Sequence, residues 1–240
     1  MLVFVDYEHA DGYLDVHGDQ MLAARTRITY RLEDVAGRHC HLVRYDRVDE
    51  GLLRTLQASA IFISGNSRDP DDYDPDLVAP VHALLRETEL PIFGFCGGFQ
   101  LIAQAFGADI VPITGDSGQR DDPMVVRLDD PMVVRLDDGR PFEYGYHPID
   151  VAPVASRHPL VAGLGRRPVF RHAHGLHVPN PPEGFETMAS TATTPVQLAV
   201  HDQRRIVGTQ FHPEYWTDEH PAGRTLIANF LAWSGVRARG

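Results

Sequence analysis

The sequence contains no lysine, because all 22 of its basic residues are arginine. Chemistry that depends on a lysine, such as a Schiff base, a Ser–Lys dyad or a phosphate-binding loop, is therefore excluded. Without a Gly-x-x-x-x-Gly-Lys loop, we do not expect this chain to activate an acceptor with ATP. If an acceptor must be activated, another polypeptide has to do it.

Cysteine and long apolar runs are also scarce. Two cysteines, Cys40 and Cys96, cannot form a disulfide framework, which fits a reducing cytoplasm. No apolar stretch reaches the roughly 18 residues of a membrane span, and the first residues lack the basic start of a signal peptide. The net charge of −11 argues against broad binding to nucleic acid or anionic membranes. We therefore expect a cytoplasmic protein with neither as a partner.

What the sequence does contain is an alternation of strand and helix patterns. With 43% hydrophobic residues, the 240-residue chain can bury one sizeable core, and we predict a single domain over 1–240. The predicted strands are Leu2–Asp6, His41–Tyr45, Ala60–Ser64 and Pro91–Phe95, and the predicted helices are Asp19–Ala36, Glu50–Gln57, Leu77–Glu87, Phe99–Phe106 and Ala222–Trp233. This alternation predicts a three-layer α/β fold, with a mixed, mostly parallel central sheet and helices on both faces. Residues 125–210 are expected to add antiparallel or mixed strands.

A cysteine stands where the strand before it gives way to a helix. Gly94-Phe95-Cys96-Gly97-Gly98 has the form of a nucleophile elbow, in which flanking glycines permit a strained turn without Cβ clashes. The thiol then projects at a helix N-terminus, where free amides and the helix dipole favour the thiolate. A lone cysteine is more often a buried structural residue, as we expect for Cys40. The pattern around Cys96 instead predicts a nucleophile.

A histidine and an acid near the C-terminus supply the groups that such a nucleophile needs. His212 ends a predicted strand, and Glu214 follows two residues later. If the chain stays extended through Pro213, both side chains face the same way and form a base with its orienting carboxylate. His-Pro-Glu by itself is weak, and a surface histidine is the simple alternative. Together with the elbow it predicts a Cys-His-Glu triad.

These two motifs closely resemble those of the class I (triad-type) glutamine amidotransferase domain. The resemblance runs from about Leu2 to Trp233 and implies a flavodoxin-like fold. It includes residues 61–66 as the oxyanion strand and loop, and residues 143–145 as the Tyr-Gly segment. Residues 158–164 resemble a short helix-forming segment of the family, and residues 173–185 its Ser-His-Gly and Pro-x-Gly-Phe stretch.

The resemblance implies hydrolysis of the side-chain amide of L-glutamine through a γ-glutamyl thioester, with ammonia passed to a partner synthetase and no cofactor or metal. Cys96 is the implied nucleophile, His212 the base and Glu214 its orienter. Backbone amides of Gly97 and Asn66 are expected to hold the oxyanion. The implied substrate-binding residues are Gly65, Gln100, Ala173 and His174.

The oxyanion loop departs from the family, which usually has a second glycine followed by proline where this chain has Asn66-Ser67. Asparagine is the non-glycine residue most tolerant of positive φ, so the N–H can still be presented. The departure favours, as an alternative, a γ-glutamyl hydrolase or amidase that acts on γ-glutamyl amines or peptides without an acceptor. A non-catalytic regulatory protein is a further alternative, against which the intact triad argues.

Three other features have simpler explanations. The eight residues 122–129 recur as 130–137, and we interpret this duplication as a lengthened hairpin or loop near the active-site face, either neutral or functional. The acidic run 69–76 is expected to be a solvated loop in which Asp76 caps the next helix. His172, His174 and His177 could hold zinc, contact substrate or be structural, and without a Cys partner or His-Glu-x-x-His motif we predict no metal.

Overall fold

The computed structural model describes residues 1–113, 132–136 and 139–236. Its helices are α1 Gly18–Ala36, α2 Glu50–Thr55, α3 Pro75–Glu87, α4 Gly97–Ala105 and α5 Ala222–Trp233. Its strands are β1 Leu2–Asp6, β2 Cys40–Arg44, β3 Ala60–Ile63, β4 Ile92–Phe95, β5 Val111–Pro112, β6 Val133–Arg135, β7 Pro141–Pro148, β8 Asp150–Val151, β9 Val169–His174, β10 Leu176–His177, β11 Glu186–Ser190, β12 Leu198–His201 and β13 Ile206–Thr209. Short 3₁₀ helices span Ala10–Tyr13, Tyr45–Arg47, Pro70–Asp72, Pro153–Arg157, Pro159–Val161 and Pro213–Tyr215.

A central eight-stranded sheet has the order β2-β1-β3-β4-β13-β12-β11-β8. The pairs from β2 to β13 are parallel, and the pairs from β13 to β8 are antiparallel. Two smaller antiparallel sheets, β6-β7-β9 and β10-β5, lie beside it. The mixed, mostly parallel architecture and the antiparallel second half confirm the prediction made from the alternating pattern.

Both faces of the central sheet pack against helices, because successive apolar side chains of its strands point to opposite faces. In β1, Leu2 and Phe4 join one core cluster, which also contains residues of α1 and α5. Val3 and Val5 join the opposite cluster, which contains residues of α2, α3 and α4. Successive residues of a strand point to opposite faces, so a continuous apolar run serves two cores at once. The helices on both faces are as predicted.

The acidic run before α3 differs from expectation in one detail. The cap of this helix is Asp74, whose side chain accepts a hydrogen bond from the Asp76 N–H at 2.9 Å. Asp76 lies inside the first turn, so its prediction as the cap is wrong. Pro75 moves the start of the helix forward, because its fixed φ suits the first helical position and makes the residue before it the cap.

The repeated segment lies largely outside the described residues. Of 122–137, only 132–136 are described, and they include β6, which pairs with β7 in a hairpin. The function of the duplication stays a prediction.

None of the helices in the described ranges is both long and apolar enough to cross a membrane.

Candidate active site

Cys96 lies at the sharp turn between β4 and α4. Its backbone has φ 49° and ψ −107°, and few non-glycine residues adopt a positive φ. The Cys96 N–H donates to the Thr209 carbonyl of β13 at 2.7 Å, which ties the turn to the neighbouring strand. Such strain persists only where the surrounding structure imposes it, and it is concentrated at functional sites. The local geometry is therefore that of a nucleophile elbow.

His212 and Glu214 lie just after β13, the strand beside β4. The Nδ1 of His212 is 2.7 Å from Oε1 of Glu214, and the His212 N–H donates to the Arg171 carbonyl at 2.7 Å. The predicted reason for this pairing is wrong, since Pro213–Tyr215 forms a 3₁₀ turn rather than an extended segment. The turn bends the chain so that the carboxylate reaches back to the imidazole.

Gly65 shows how close the thiol and the imidazole lie. A Cβ atom on Gly65 would be 2.9 Å from Cε1 of His212 and 3.5 Å from Cβ of Cys96, so a larger residue there would meet both side chains. With Nδ1 occupied by Glu214, the other ring nitrogen of His212 is left for the thiol. Burial alone would lower the pKa of His212, but the charges and hydrogen bonds of Glu214 and Cys96 raise it to about 10. The imidazole is thus held in its protonated form beside the sulfur.

The backbone nitrogen of Asn66 lies close to Gly97, the residue that follows the nucleophile. A Cβ on Gly97 would be 3.0 Å from the Asn66 nitrogen, and within the described residues neither the Asn66 N–H nor the Gly97 N–H has a hydrogen-bond acceptor. The Asn66 side-chain amide donates to the Arg68 carbonyl at 2.7 Å, so it is already used. Asn66 is also not among the described non-glycine residues with positive φ. The loop therefore does not need the positive φ that the sequence was expected to require.

The Asn66–Ser67 loop is fixed by a buried acid. The Ser67 N–H donates to the carboxylate of Glu8 at 3.0 Å, and the Ser67 hydroxyl donates to the same carboxylate at 2.9 Å. Arg25 completes the arrangement by pairing with Glu8 at 3.4 Å and donating to the Gly65 carbonyl at 2.8 Å. These side-chain contacts hold the loop at the place where the family usually has glycine and proline.

Two clefts border this centre. The thiol cleft, about 590 Å³, is lined by residues that include Cys96, Gln100 and Leu176. The imidazole cleft, about 360 Å³, is lined by residues that include His212 and Arg171. Asn66, Ser67 and Ala173 line both clefts. The nucleophile and the base therefore line different clefts that share a border.

The four predicted substrate-binding residues lie around these clefts but in different ways. Gln100 lines the thiol cleft and donates to the Leu176 carbonyl at 3.1 Å. The Ala173 carbonyl accepts a long hydrogen bond from the Cys96 thiol at 3.9 Å. His174 lines the thiol cleft, yet its Nδ1 and Nε2 are 3.1 Å from the Leu176 carbonyl and 2.8 Å from Glu143. Gly65 lines the imidazole cleft.

Near the catalytic residues, the carboxylate of Glu143 is surrounded by hydrogen-bond donors. The sequence did not predict this arrangement. Its Oε1 accepts the hydroxyls of Thr193 and Thr194, the latter at 2.8 Å. Its Oε2 lies 2.8 Å from both the Gln197 amide nitrogen and Nε2 of His174. Glu143 is fully buried. Burial favours the neutral acid, but the neighbouring histidines and hydrogen bonds outweigh it and hold the pKa of Glu143 well below its usual range.

These groups also form a possible metal-binding set, since donor atoms of Glu143, His172 and His174 lie within 4.8 Å of one another. The Gln197 amide donates to the same carboxylate oxygen that faces both imidazoles. An N–H group directed at that oxygen opposes a cation, so the donor set fits a hydrogen-bonded array better than a metal site. Burial lowers the pKa of His172 to about 4, which keeps that ring neutral.

The resemblance included Glu143 in the Tyr-Gly segment, but no local signal in the sequence identified its threonine and glutamine partners. The partners Thr193, Thr194 and Gln197 lie about fifty residues along the chain. Glu8 is equally hidden, because its partner Ser67 is far from it in sequence. The sequence shows the departure from the family pattern at Asn66-Ser67, but not the residue that holds this loop.

An elbow cysteine beside a histidine–carboxylate pair, at the carboxyl ends of parallel strands, defines a triad-type α/β site. Comparisons with known proteins place this site in a family. The family model described as glutamine amidotransferase class-I matches residues 19–233. The chain belongs to the class I glutamine amidotransferase family.

Similar curated proteins bear the name GMP synthase [glutamine-hydrolyzing]. The protein of Thermomicrobium roseum is 33% identical over 194 residues, which cover 80% of this chain and 30% of that protein. The protein of Acinetobacter baylyi is 28% identical over 216 residues, covering 88% of this chain and 32% of that protein. This chain therefore spans about a third of the length of the curated relatives it matches.

Solved structures agree on the fold. A GMP synthase subunit from Thermoplasma acidophilum has a TM-score of 0.68 at 24% identity, covering 98% of this chain and 94% of that one. The glutaminase domain of a Trypanosoma brucei CTPS with bound acivicin has a TM-score of 0.64 at 16% identity, covering 100% and 96%. These likenesses confirm the predicted flavodoxin-like architecture.

Proposed function

We propose that this chain is a glutaminase that releases ammonia from the side-chain amide of L-glutamine and supplies it to a synthetase partner. The observation that carries the proposal is the strained Cys96 turn facing an imidazole whose other nitrogen is 2.7 Å from Glu214. Family membership and the glutamine-hydrolysing relatives support the same reaction.

In the proposed mechanism, the Cys96 thiolate attacks the γ-carbonyl carbon and the oxyanion is held by the N–H groups of Asn66 and Gly97. One such donor is typically worth ~3 kcal/mol of barrier. His212, held protonated by Glu214, gives its proton to the departing ammonia. Water activated by His212 then cleaves the thioester, which releases glutamate and restores the thiol.

The thiol cleft is the proposed site of the glutamyl part of the substrate. Gln100 and Ala173 lie in it beside Cys96. The backbone at Leu176 is held in place, because the side chains of Gln100 and His174 both bond to the Leu176 carbonyl. We propose that the segment 173–176 presents backbone groups to the amino acid end of glutamine. The His174 ring would then hold this segment in place without contacting the substrate.

The acceptor of ammonia is proposed to lie on a synthetase polypeptide. The curated relatives are named as synthases, and this chain matches only about a third of their length. The sequence has no lysine with which to build an ATP phosphate loop. A cytoplasmic setting is part of the proposal, since both cysteines are free and the nucleophile has to remain reduced.

The test is ammonia release from glutamine by the unaltered chain and by Cys96→Ala, with Cys40→Ala as the matched control. Cys96→Ala is expected to lose activity and keep the fold, and Cys40→Ala is expected to retain activity. An electrophilic glutamine analogue is expected to label Cys96 and spare Cys40. Full activity in Cys96→Ala, or labelling mainly at Cys40, would refute the proposal. Addition of a candidate synthetase from the same cell is expected to raise turnover sharply.

A further inference from the structure

The two clefts differ in which catalytic residue each one contains. Cys96 lines one cleft and His212 the other, while Asn66 and Ala173 border both. During formation of the thioester, the acyl part stays with the sulfur, and the leaving group takes its proton from the base. On the proposed function, the glutamyl part therefore occupies the thiol cleft, and the leaving group departs into the imidazole cleft.

The imidazole cleft is far larger than ammonia requires. Its volume is about 360 Å³, an order of magnitude above the ~30 Å³ that one water-sized molecule occupies in the liquid. A leaving group of several heavy atoms fits such a space. Size alone does not give its chemistry, which depends on the charged groups in the wall.

Among the described residues, Arg171 is a charged group in this wall without an acid partner. Its guanidinium lies 4.1 Å from the ring centroid of Tyr144 and donates to the adjacent His172 carbonyl. Over the part of the chain that the structure describes, it forms no ion pair with a carboxylate. By contrast, Glu8 and Arg25 in the same wall are paired with each other. Arg171 thus has donors to spare, since a guanidinium carries five N–H groups.

The position of Arg171 is fixed with respect to the base. The Arg171 carbonyl accepts a hydrogen bond from the His212 N–H at 2.7 Å, so the two residues are paired in an antiparallel β-bridge. Its side chain is held against an aromatic face, which limits the entropy lost on binding an anion. A guanidinium with free N–H donors binds a carboxylate strongly, often through two parallel hydrogen bonds.

We propose that the imidazole cleft accepts a leaving group that carries a carboxylate, so that the chain also cleaves γ-glutamyl amino acids. Attack by the Cys96 sulfur forms the thioester C–S bond and breaks the amide C–N bond. His212 passes its proton to the departing α-amino nitrogen while Arg171 holds the carboxylate of that amino acid. Water then converts the thioester to the γ-carboxylate and returns the thiol.

The test compares two substrates of nearly equal size, γ-glutamylglycine and γ-glutamylglycinamide, which differ in the carboxylate. The readout is the ratio of their kcat/KM values, because intrinsic differences between the leaving groups cancel when the ratio is compared between variants. Arg171→Gln is expected to lower this ratio about tenfold. Arg171→Lys, which keeps the charge, is expected to retain part of the preference. Arg157→Gln, a change at an exposed arginine outside the cleft, is expected to leave the ratio unchanged.

The outcomes separate this proposal from the glutaminase. An equal ratio in the unaltered chain and Arg171→Gln would overturn the role of Arg171. Hydrolysis of glutamine with no cleavage of either dipeptide would overturn the inference and leave the glutaminase intact. Cleavage of γ-glutamylglycine without hydrolysis of glutamine would refute the glutaminase and support the inference.

Discussion

Two imidazole–carboxylate pairs in this protein have nearly equal nitrogen–oxygen distances. They differ in how many hydrogen bonds the carboxylate accepts. His212 and Glu214 are 2.7 Å apart, and His174 and Glu143 are 2.8 Å apart. Glu143 also accepts hydrogen bonds from threonine hydroxyls and an amide, whereas Oε2 of Glu214 has no hydrogen-bond partner among the described residues.

The difference lies in how many donors each carboxylate satisfies. The charge of Glu214 is directed at one imidazole, and together with Cys96 it raises the pKa of His212 to about 10. The charge of Glu143 is shared among many donors, and burial keeps its neighbour His172 neutral by lowering its pKa to about 4. Glu214 and Cys96 thus outweigh the burial of His212, whereas Glu143 raises the pKa of His172 without outweighing the burial of that ring.

The largest expected effect breaks the catalytic pair. His212→Ala removes both the base and the proton donor, so we expect kcat for glutamine to fall by ~10³-fold or more. The free energy of unfolding is also expected to fall at neutral pH, because the buried Glu214 carboxylate loses its partner. Steady-state kinetics and urea unfolding measure both quantities. Retention of most activity would exclude His212 as the base.

The second effect breaks the structural pair. Glu143→Gln replaces a buried charge amid its donors, and we expect it to lower the free energy of unfolding by about 3 kcal/mol. Because the pKa of Glu143 is lowered in the folded state, its contribution is complete above the ordinary pKa and is lost as pH falls through the folded value. Urea unfolding from pH 7 downward should therefore show the difference between variant and unaltered chain shrinking at low pH. A difference that is constant with pH would contradict a stabilising charge.

A smaller effect is expected when Glu214, the carboxylate of the catalytic pair, loses its charge. Glu214→Gln keeps the shape but loses the charge that helps to protonate His212, so we expect kcat to fall ~10–10²-fold, less than in His212→Ala. The pKa of His212 falls with that charge, which moves the alkaline limb of the pH–kcat profile to lower pH.

The same change gives a stability control with the opposite pH dependence. Because the folded-state pKa of His212 is raised, its pairing stabilises the fold fully below the ordinary pKa near 6.5 and loses this effect as pH rises toward 10. Glu214→Gln is thus expected to cost stability at pH 6 and little at pH 10. An unmoved alkaline limb would mean that Glu214 does not tune His212.

The smallest expected effect concerns the donors beside the thiol. Since the Asn66 side-chain amide bonds to the Arg68 carbonyl and the backbone N–H has no acceptor among the described residues, Asn66→Gly should reduce kcat less than threefold. If the side chain were the oxyanion donor, the loss would be ~10²-fold. Both variants lose the bond to Arg68, but Asn66→Val also places a stiff β-branched side chain against Gly97, so it is expected to do more harm than Asn66→Gly. Equal activity in all three proteins would place Asn66 outside the oxyanion hole.

The sequence by itself determined the local geometry of this protein. The apolar run before Cys96 and the glycines after it specify strand, turn and helix within a few residues, because periodicity and φ tolerance are properties of neighbouring residues. The spacing of His212 and Glu214 is also local, although the turn at Pro213 was not predicted. The alternation of elements was enough to give the layers and the mostly parallel sheet.

The tertiary structure alone decided what distant residues do together. Glu143 meets its threonines, Glu8 meets Ser67, and Arg171 reaches the cleft beside His212 only after strands distant in sequence have paired. Such contacts depend on the closure of long loops and on packing, which leave no periodic trace in the sequence. Which donors surround a buried acid such as Glu143 is therefore decided only in the folded chain.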